Sequence, residues 1–256
     1  MIGFFAFLKK ELLESQRSGK LLFVLILFFA FGVMNPAIAK LTPYLLEMLA
    51  DELRENGMTV GEVTVNALTS WTQFFKNIPM ALIAFVLLYG GSFVKEYESE
   101  TLLIVLTRGL KRKNVVLAKT ALMLSLWSIG YLICFATTYL YNEYLFDNSI
   151  AENLGSAVFG FWLFGVFTVA LTVFFSCVFS SYGEVLLGTG ASVALSYAVG
   201  LLPKLSRAVP TSLMNSAGLL VGAENGSDYA AALVVTVILT FALLAGSVLF
   251  FNRKKL

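Results

Sequence analysis

The 256-residue chain has no histidine. That removes the commonest transition-metal ligand and the commonest general base at neutral pH. Its two cysteines, Cys134 and Cys177, both fall inside long apolar runs and give neither a disulfide framework nor a metal-binding pattern. Charge is scarce: 13% of residues are Asp, Glu, Lys or Arg, against about 25% in an ordinary soluble domain. No G-x-x-x-x-G-K-[ST] occurs, so the chain does not hold a nucleotide in a P-loop. H-E-x-x-H and G-x-S-x-G are also missing, and the middles of the apolar runs hold no Asp, Glu, Lys, Arg or His. An intramembrane hydrolase needs a nucleophile or metal at depth, and a proton- or sodium-coupled carrier needs an ionisable group there. Both classes are disfavoured.

What the chain has instead is apolar length. It is 58% hydrophobic, with a mean hydropathy of +0.82. Six runs, at about 21–37, 78–94, 115–141, 157–181, 185–203 and 229–251, approach or exceed the roughly 20 apolar residues that cross a bilayer. The expected fold is an all-α integral membrane protein with six transmembrane helices, forming a single membrane domain over 1–256. Lysine and arginine favour the cytoplasmic side of a membrane. With both termini inside, 13 basic and six acidic residues fall in cytoplasmic segments, against five and ten outside. The small overall charge of +2 therefore hides a strong asymmetry. The expected location is a bacterial plasma membrane.

Residues 2–17 carry Ile2, Phe5, Leu8, Leu12 and Leu13 at helical spacing, with Lys9, Lys10, Glu14 and Arg17 on a polar side. This predicts a helix lying in the membrane interface, within an elbow over residues 1–20 that contacts lipid. Lys9-Lys10, an apolar run and Ala37-Ile38-Ala39 imitate a secretory signal, but the helix-like residues ahead of the run favour an uncleaved N-terminus. The first span is expected to stop at Asn35-Pro36, where proline halts helix propagation. A short outer helix over Thr42–Glu55 and a turn at Asn56-Gly57 should follow. Trp71, Tyr139, Tyr141 and Tyr144 suit an outer aromatic belt. Lys119 and Glu184, near the cytoplasmic ends of spans, are expected to snorkel. Residues 204–228 hold an apolar centre too short to cross, which predicts an outer re-entrant segment.

The fourth span is dense in aromatics, among them Phe161, Trp162, Phe164 and Phe167. They read either as core filling or as a greasy wall for an amphipathic substrate. The fifth span carries Gly188, Ser192, Ser196 and Gly200 at four-residue steps. Small residues at that spacing let helices approach closely, either within one subunit or across a dimer seam.

The most informative stretch is 95–113. It joins two spans, holds five of the 18 basic residues, and adds Glu96, Glu98 and Glu100 and an apolar run from Leu102 to Leu106. A plain connecting loop has no reason to be amphipathic as well as basic. A cytoplasmic helix that meets both a membrane and a partner protein does.

These parts together resemble type-two ABC exporter permeases. Phe7-Leu8-Lys9-Lys10-Glu11-Leu12 through Arg17-Ser18-Gly19-Lys20 is similar to that family's opening, and Gly32 to Pro43 to its first outer turn. Lys95-Glu96-Tyr97-Glu98-Ser99-Glu100-Thr101-Leu102, followed by Thr107-Arg108-Gly109-Leu110-Lys111-Arg112, resembles its coupling-helix stretch. The family pattern usually has Gly where Glu100 stands. The resemblance implies that two permease subunits pair, as identical or related chains, and that each docks its coupling helix on a separate cytoplasmic P-loop ATPase. Glu96, Glu98, Ser99, Glu100, Thr101, Leu102, Leu103, Leu106 and Arg108 would form that docking surface. ATP and Mg would sit on the partner, with no cofactor bound by this chain, no enzymatic activity of its own and no nucleic-acid partner.

The uncharged, aromatic interior favours an amphipathic or hydrophobic cargo such as a membrane-active peptide or lipophilic antibiotic. Lipid-linked glycan export is an alternative within the class. Outside it stand a non-transporting assembly or sensory protein that recruits a partner through the same segment, and a secondary transporter.

Overall fold

The computed structural model describes residues 2–48, 65–98, 101–107, 109–215 and 217–254. Among them every regular element is helical. Helix α1 (Ile2–Arg17) turns at Gly19, where φ is +74°, into α2 (Lys20–Met48). Next come α3 (Ala67–Tyr89), the short α4 (Val94–Glu98) and α5 (Thr101–Thr107), and the long α6 (Arg112–Leu145). Then α7 (Leu154–Val178), α8 (Tyr182–Gly200), α9 (Ala217–Leu220) and α10 (Ala230–Arg253) complete the order. Among the described residues, five helical stretches, Lys20–Tyr44, Ala67–Glu98, Arg112–Leu145, Leu154–Val178 and Gly226–Arg253, are long and apolar enough to cross a membrane. The fifth expected span, 185–203, falls on the helix α8, which is not among these five. Its 19 residues reach about 28 Å, but Glu184, glycines and serines dilute its apolar character.

Helix α2 packs against α3 and α6, α1 against α6, and α10 and α8 against α7. The centre is aromatic. Trp71, Trp127, Tyr131, Phe161 and Phe164 are almost wholly buried, and each indole or phenol hydrogen finds an acceptor. Trp127 donates to the Trp162 carbonyl at 3.1 Å, and Tyr131 to the Val158 carbonyl at 2.8 Å. A Cβ on Gly165 would collide with the Trp127 ring, so glycine there is what lets α6 and α7 close around the indole. The aromatics of the fourth span are mostly core: Phe161, Phe164 and Phe167 are buried, whereas Phe159 is exposed.

Four sequence expectations change. The first span does not stop at Asn35-Pro36; α2 continues through Pro36 and Pro43 to Met48. Proline 36 lacks the N–H that would bond the Gly32 carbonyl, and Thr138 Oγ1 donates to that carbonyl instead, at 3.0 Å. The expected outer helix over 42–55 is, as far as Met48, the tail of α2. Its remainder and the Asn56-Gly57 turn lie outside the described residues. Trp71 does not belong to an aromatic belt: it is fully buried, with Nε1 donating to Asn148 Oδ1 at 3.0 Å. Tyr139, Tyr141 and Tyr144 are exposed. Nor does Lys119 snorkel; it is 2% exposed and ion-paired inside the bundle.

Residues 204–228 are a chain of short pieces: a 3-10 turn at Pro210–Met214, α9, and a second 3-10 turn at Gly226–Tyr229. The first of these packs on α7, α8 and α10.

Candidate docking segment

Helix α1 buries a stripe that mixes apolar and polar side chains. Phe7, Glu11 and Ser15 point into the bundle, while Phe5, Leu12 and Leu13 are exposed. The stripe meets α4 and the start of α6 in a cluster of charges. Lys119 Nζ lies 2.7 Å from Glu11 Oε2, 3.3 Å from Glu96 Oε2 and 3.1 Å from the Ser92 carbonyl. Lys10 Nζ lies 2.5 Å from Glu96 Oε1, 2.9 Å from Glu11 Oε1 and 3.0 Å from Glu14 Oε2. The contact between Lys119 and Glu96 is an ion pair without hydrogen-bond alignment, and Glu96 Oε2 has no hydrogen-bond donor. Lys95 adds a looser pair with Glu14 at 3.4 Å.

Burial pushes the Glu11 carboxyl up, but the charge and hydrogen bond of Lys119, followed by those of Lys10, more than offset this. The group ends below its ordinary value. Burial likewise pulls Lys10 down, and its hydrogen bonds with Glu96 and Glu11 raise it above the usual lysine range. Oxygens of Glu11, Glu14 and Glu96 come within 4.8 Å of one another, as metal ligands do. Here two lysine ammoniums already occupy the cationic position, and the residues do not fit a metal ion.

This geometry sorts the expected docking residues. Glu96 is 5% exposed and engaged by Lys10 and Lys119, so it faces the interior of its own chain rather than a partner. Leu102 is likewise buried, in the main core. Glu98, Thr101 and Thr107 lie on the exposed side, with Leu106 half-buried behind them. Ser99, Glu100, Arg108 and the side chain of Leu103 lie outside the described residues. Lys10, Glu11 and Lys119 were not singled out from the sequence as site residues. The available signal was a lysine set between Val115, Val116, Ala118 and Leu122, four apolar positions, which calls for a buried carboxylate.

The small-residue stripe of α8 faces its own chain. A Cβ on Gly188 would stand 2.8 Å from the Phe175 ring, and one on Gly200 3.2 Å from Val209. Ser196 Oγ and Thr211 Oγ1 are 3.1 Å apart, and Ser192 is half-buried. The opposite face of α8, with Leu187, Leu195 and Leu201, is exposed. Between α3, α7 and α8 lies an open apolar groove of about 440 Å³, walled by Leu82, Val86, Phe164, Val193 and Met214, with Thr168 as a polar point.

Five helical stretches long and apolar enough to cross a membrane, with a short helical segment tied by buried ion pairs to one end of the bundle, describe a multi-pass membrane protein. The family model described as "ABC-2 family transporter protein" matches residues 5–256, and the chain belongs to that family. It is thus a transmembrane permease subunit, distinct from the ATPase of such a transporter. A relative, the "Uncharacterized transmembrane protein YxlG" of Bacillus subtilis (strain 168), is 24% identical over 255 residues, covering 97% of this chain and 96% of its own length. No solved structure matches.

Proposed function

We propose that the chain is the membrane-spanning half of an ATP-driven exporter that moves an amphipathic or hydrophobic cargo outward, such as a membrane-active peptide or lipophilic antibiotic. The observation that carries this reading is the apolar groove between α3, α7 and α8, open along one side, with the hydroxyl residues Thr168, Thr189 and Tyr197 as the polar points of its wall. Cargo sites are mostly apolar with a few placed polar groups. The end of the bundle that carries α1, α4 and α5 faces the cytoplasm, following the lysine and arginine bias. There the exposed Glu98, Thr101 and Thr107, with Leu106 behind them, meet a P-loop ATPase that holds ATP and Mg. A second permease copy, identical or related, pairs through the exposed face of α8, because the stripe at Gly188, Ser192, Ser196 and Gly200 is turned inward. Residues 204–228 cap the outer mouth of the groove through Met214.

Affinity purification of the tagged protein from its native membrane, with mass spectrometry of what accompanies it, tests the reading. A P-loop ATPase should co-purify, and should be lost when residues 98–107 are scrambled. Recovery of the chain with no ATPase sinks it.

A further inference from the structure

Neighbouring residues of α4 hold different parts of the bundle. Glu96 binds α1 and α6 through Lys10 and Lys119. Tyr97 faces the other way: its hydroxyl donates to the Ser176 carbonyl at 3.0 Å. That carbonyl belongs to the last turn of α7, where helical donors run out and an outside donor is needed. Lys254 Nζ sits 4.1 Å from the centre of the Tyr97 ring and donates to the Phe179 carbonyl, at the same end of α7, at 2.5 Å. Phe251 of α10 packs on that ring as well, with centroids 6.4 Å apart.

Beyond α5, Arg112 donates to the carbonyls of Phe251, Asn252 and Lys254 at 3.2, 3.3 and 2.6 Å. A guanidinium at a helix C-terminus satisfies orphan carbonyls and opposes the helix dipole. The last helix is therefore gripped from both flanks of the docking segment, although it is far from it in sequence. Helix α7 in turn forms one wall of the groove. Thr168 lies about two turns from Ser176 on the same rigid helix, and the Thr172 and Ser176 hydroxyls are satisfied within it.

We infer that Tyr97, with Lys254 seated on its ring, is the positioning residue through which displacement of the docking segment reaches α7 and the apolar groove. Glu96 ties the same segment to α1 and α6. The inference rests on the docking reading above. It makes α7 and α10, which adjoin the segment only in space, followers of a push delivered at Glu98 and Thr101.

The test uses the complex with its co-purified ATPase and a reporter cysteine on the groove wall, Val193→Cys. Cys134 and Cys177 are buried and stay silent. The reporter's reaction rate with a membrane-permeant maleimide is measured with and without ATP, Mg and vanadate, on preparations of equal ATPase content. In the reporter protein, nucleotide should change the rate. Tyr97→Leu and Lys254→Met should each shrink that change by about 2- to 30-fold, the span over which network mutations alter coupling. Tyr97→Phe, which keeps the ring under Lys254 but loses the donor to Ser176, should fall between. A merely structural role for Tyr97 would lower the melting temperature of all variants and leave the nucleotide response of folded protein intact. A full response in both Tyr97→Leu and Lys254→Met overturns the inference while leaving docking in place. Absence of any nucleotide response in the reporter protein with its ATPase bound also overturns the inference, because no displacement then reaches the groove wall, whereas failure of any ATPase to co-purify overturns the docking reading instead. Lys254 is half-buried at the edge of the bundle, so its variant keeps the test decisive if Tyr97→Leu does not fold.

Discussion

At the scale of single residues, the charge cluster at α1 decides the most. Lys119 is 2% exposed and carries the only ammonium that reaches both Glu11 and Glu96 from the side of α6 among the described residues. Removing one partner of a buried ion pair leaves an uncompensated charge and costs about 3–5 kcal/mol. Lys119→Met should therefore destabilise the protein by that amount in detergent melts, and Glu11→Gln combined with it should recover part of the loss. A melt unchanged by Lys119→Met would contradict the pairing. The pH dependence follows from two opposite shifts. Glu11 is held below its ordinary value of 4.5, so its contribution is present above that pH and is lost as pH falls through the lower folded-state value. Lys10 is held above its ordinary 10.5, so its contribution is present below that pH and fades only as pH rises through the higher value. The Glu11 and Lys10 contributions to the attachment of α1 are thus both present between these limits, and the loss of the Glu11 contribution in acid should loosen the helix, a change that proteolysis of the N-terminal helix at decreasing pH would reveal. The sequence presents Lys119 as one lysine near the end of an apolar run. Nothing local separates snorkelling from burial, because the carboxylate that decides it lies 108 positions away.

At the scale of elements, α2 shows why proline is a weak terminator when another helix stands beside it. The Gly32 carbonyl, freed by Pro36, accepts from Thr138 at 3.0 Å; Thr138 accepts in turn from Asn35 Nδ2 at 3.2 Å, and Asn77 Nδ2 donates to Asn35 Oδ1 at 2.9 Å. The chain of bonds fastens α2 to α6 and α3 where the backbone would otherwise be short of a partner. Thr138→Val keeps the shape and removes both roles of the hydroxyl. Each buried polar group left unpaired costs about 1–3 kcal/mol, so this variant should lose several kcal/mol, whereas Thr138→Ser should stay close to the parent. Equal melting of the Val and Ser variants would mean that the network does not support the helix. Length and apolarity made the five long helices legible, together with the break at Ser18-Gly19; the small residues of α8 signalled close packing but not whether it lies within the chain or across a seam. The path of α2 beyond Pro36 was not legible, since the rule for proline looks four residues back and the compensating hydroxyl comes from another helix. Trp71 was misread for a related reason. An indole prefers an interface when its N–H needs water, and here Asn148 supplies the acceptor inside the protein.

At the scale of the whole molecule, the two candidate surfaces lie on different parts of the bundle and make separable demands. The docking face needs charge and exposure at Glu98, Thr101 and Thr107; the groove needs apolar width between α3, α7 and α8. Val193 stands on the groove wall, half-buried, on a helix whose only wholly buried residues are Val185 and Thr189. A larger side chain there meets space rather than packed core, so the overpacking penalty of about 1–3 kcal/mol typical of a tight interior should be largely avoided. Val193→Trp should accordingly fold, insert and recover its ATPase as the parent does, yet lose most ATP-dependent uptake of a lipophilic cationic dye into inverted vesicles. Glu98→Lys should do the reverse, leaving the groove intact while ATPase recovery falls. If Val193→Trp transports dye at the parental rate, the cargo passes elsewhere, and the exposed outer face of α8 becomes the surface to block next. If instead both variants lose the ATPase, docking and groove are not independent, and packing across α8 must extend to the cytoplasmic segment. The two variants measured side by side therefore separate a subunit that carries cargo from one that only recruits its partner.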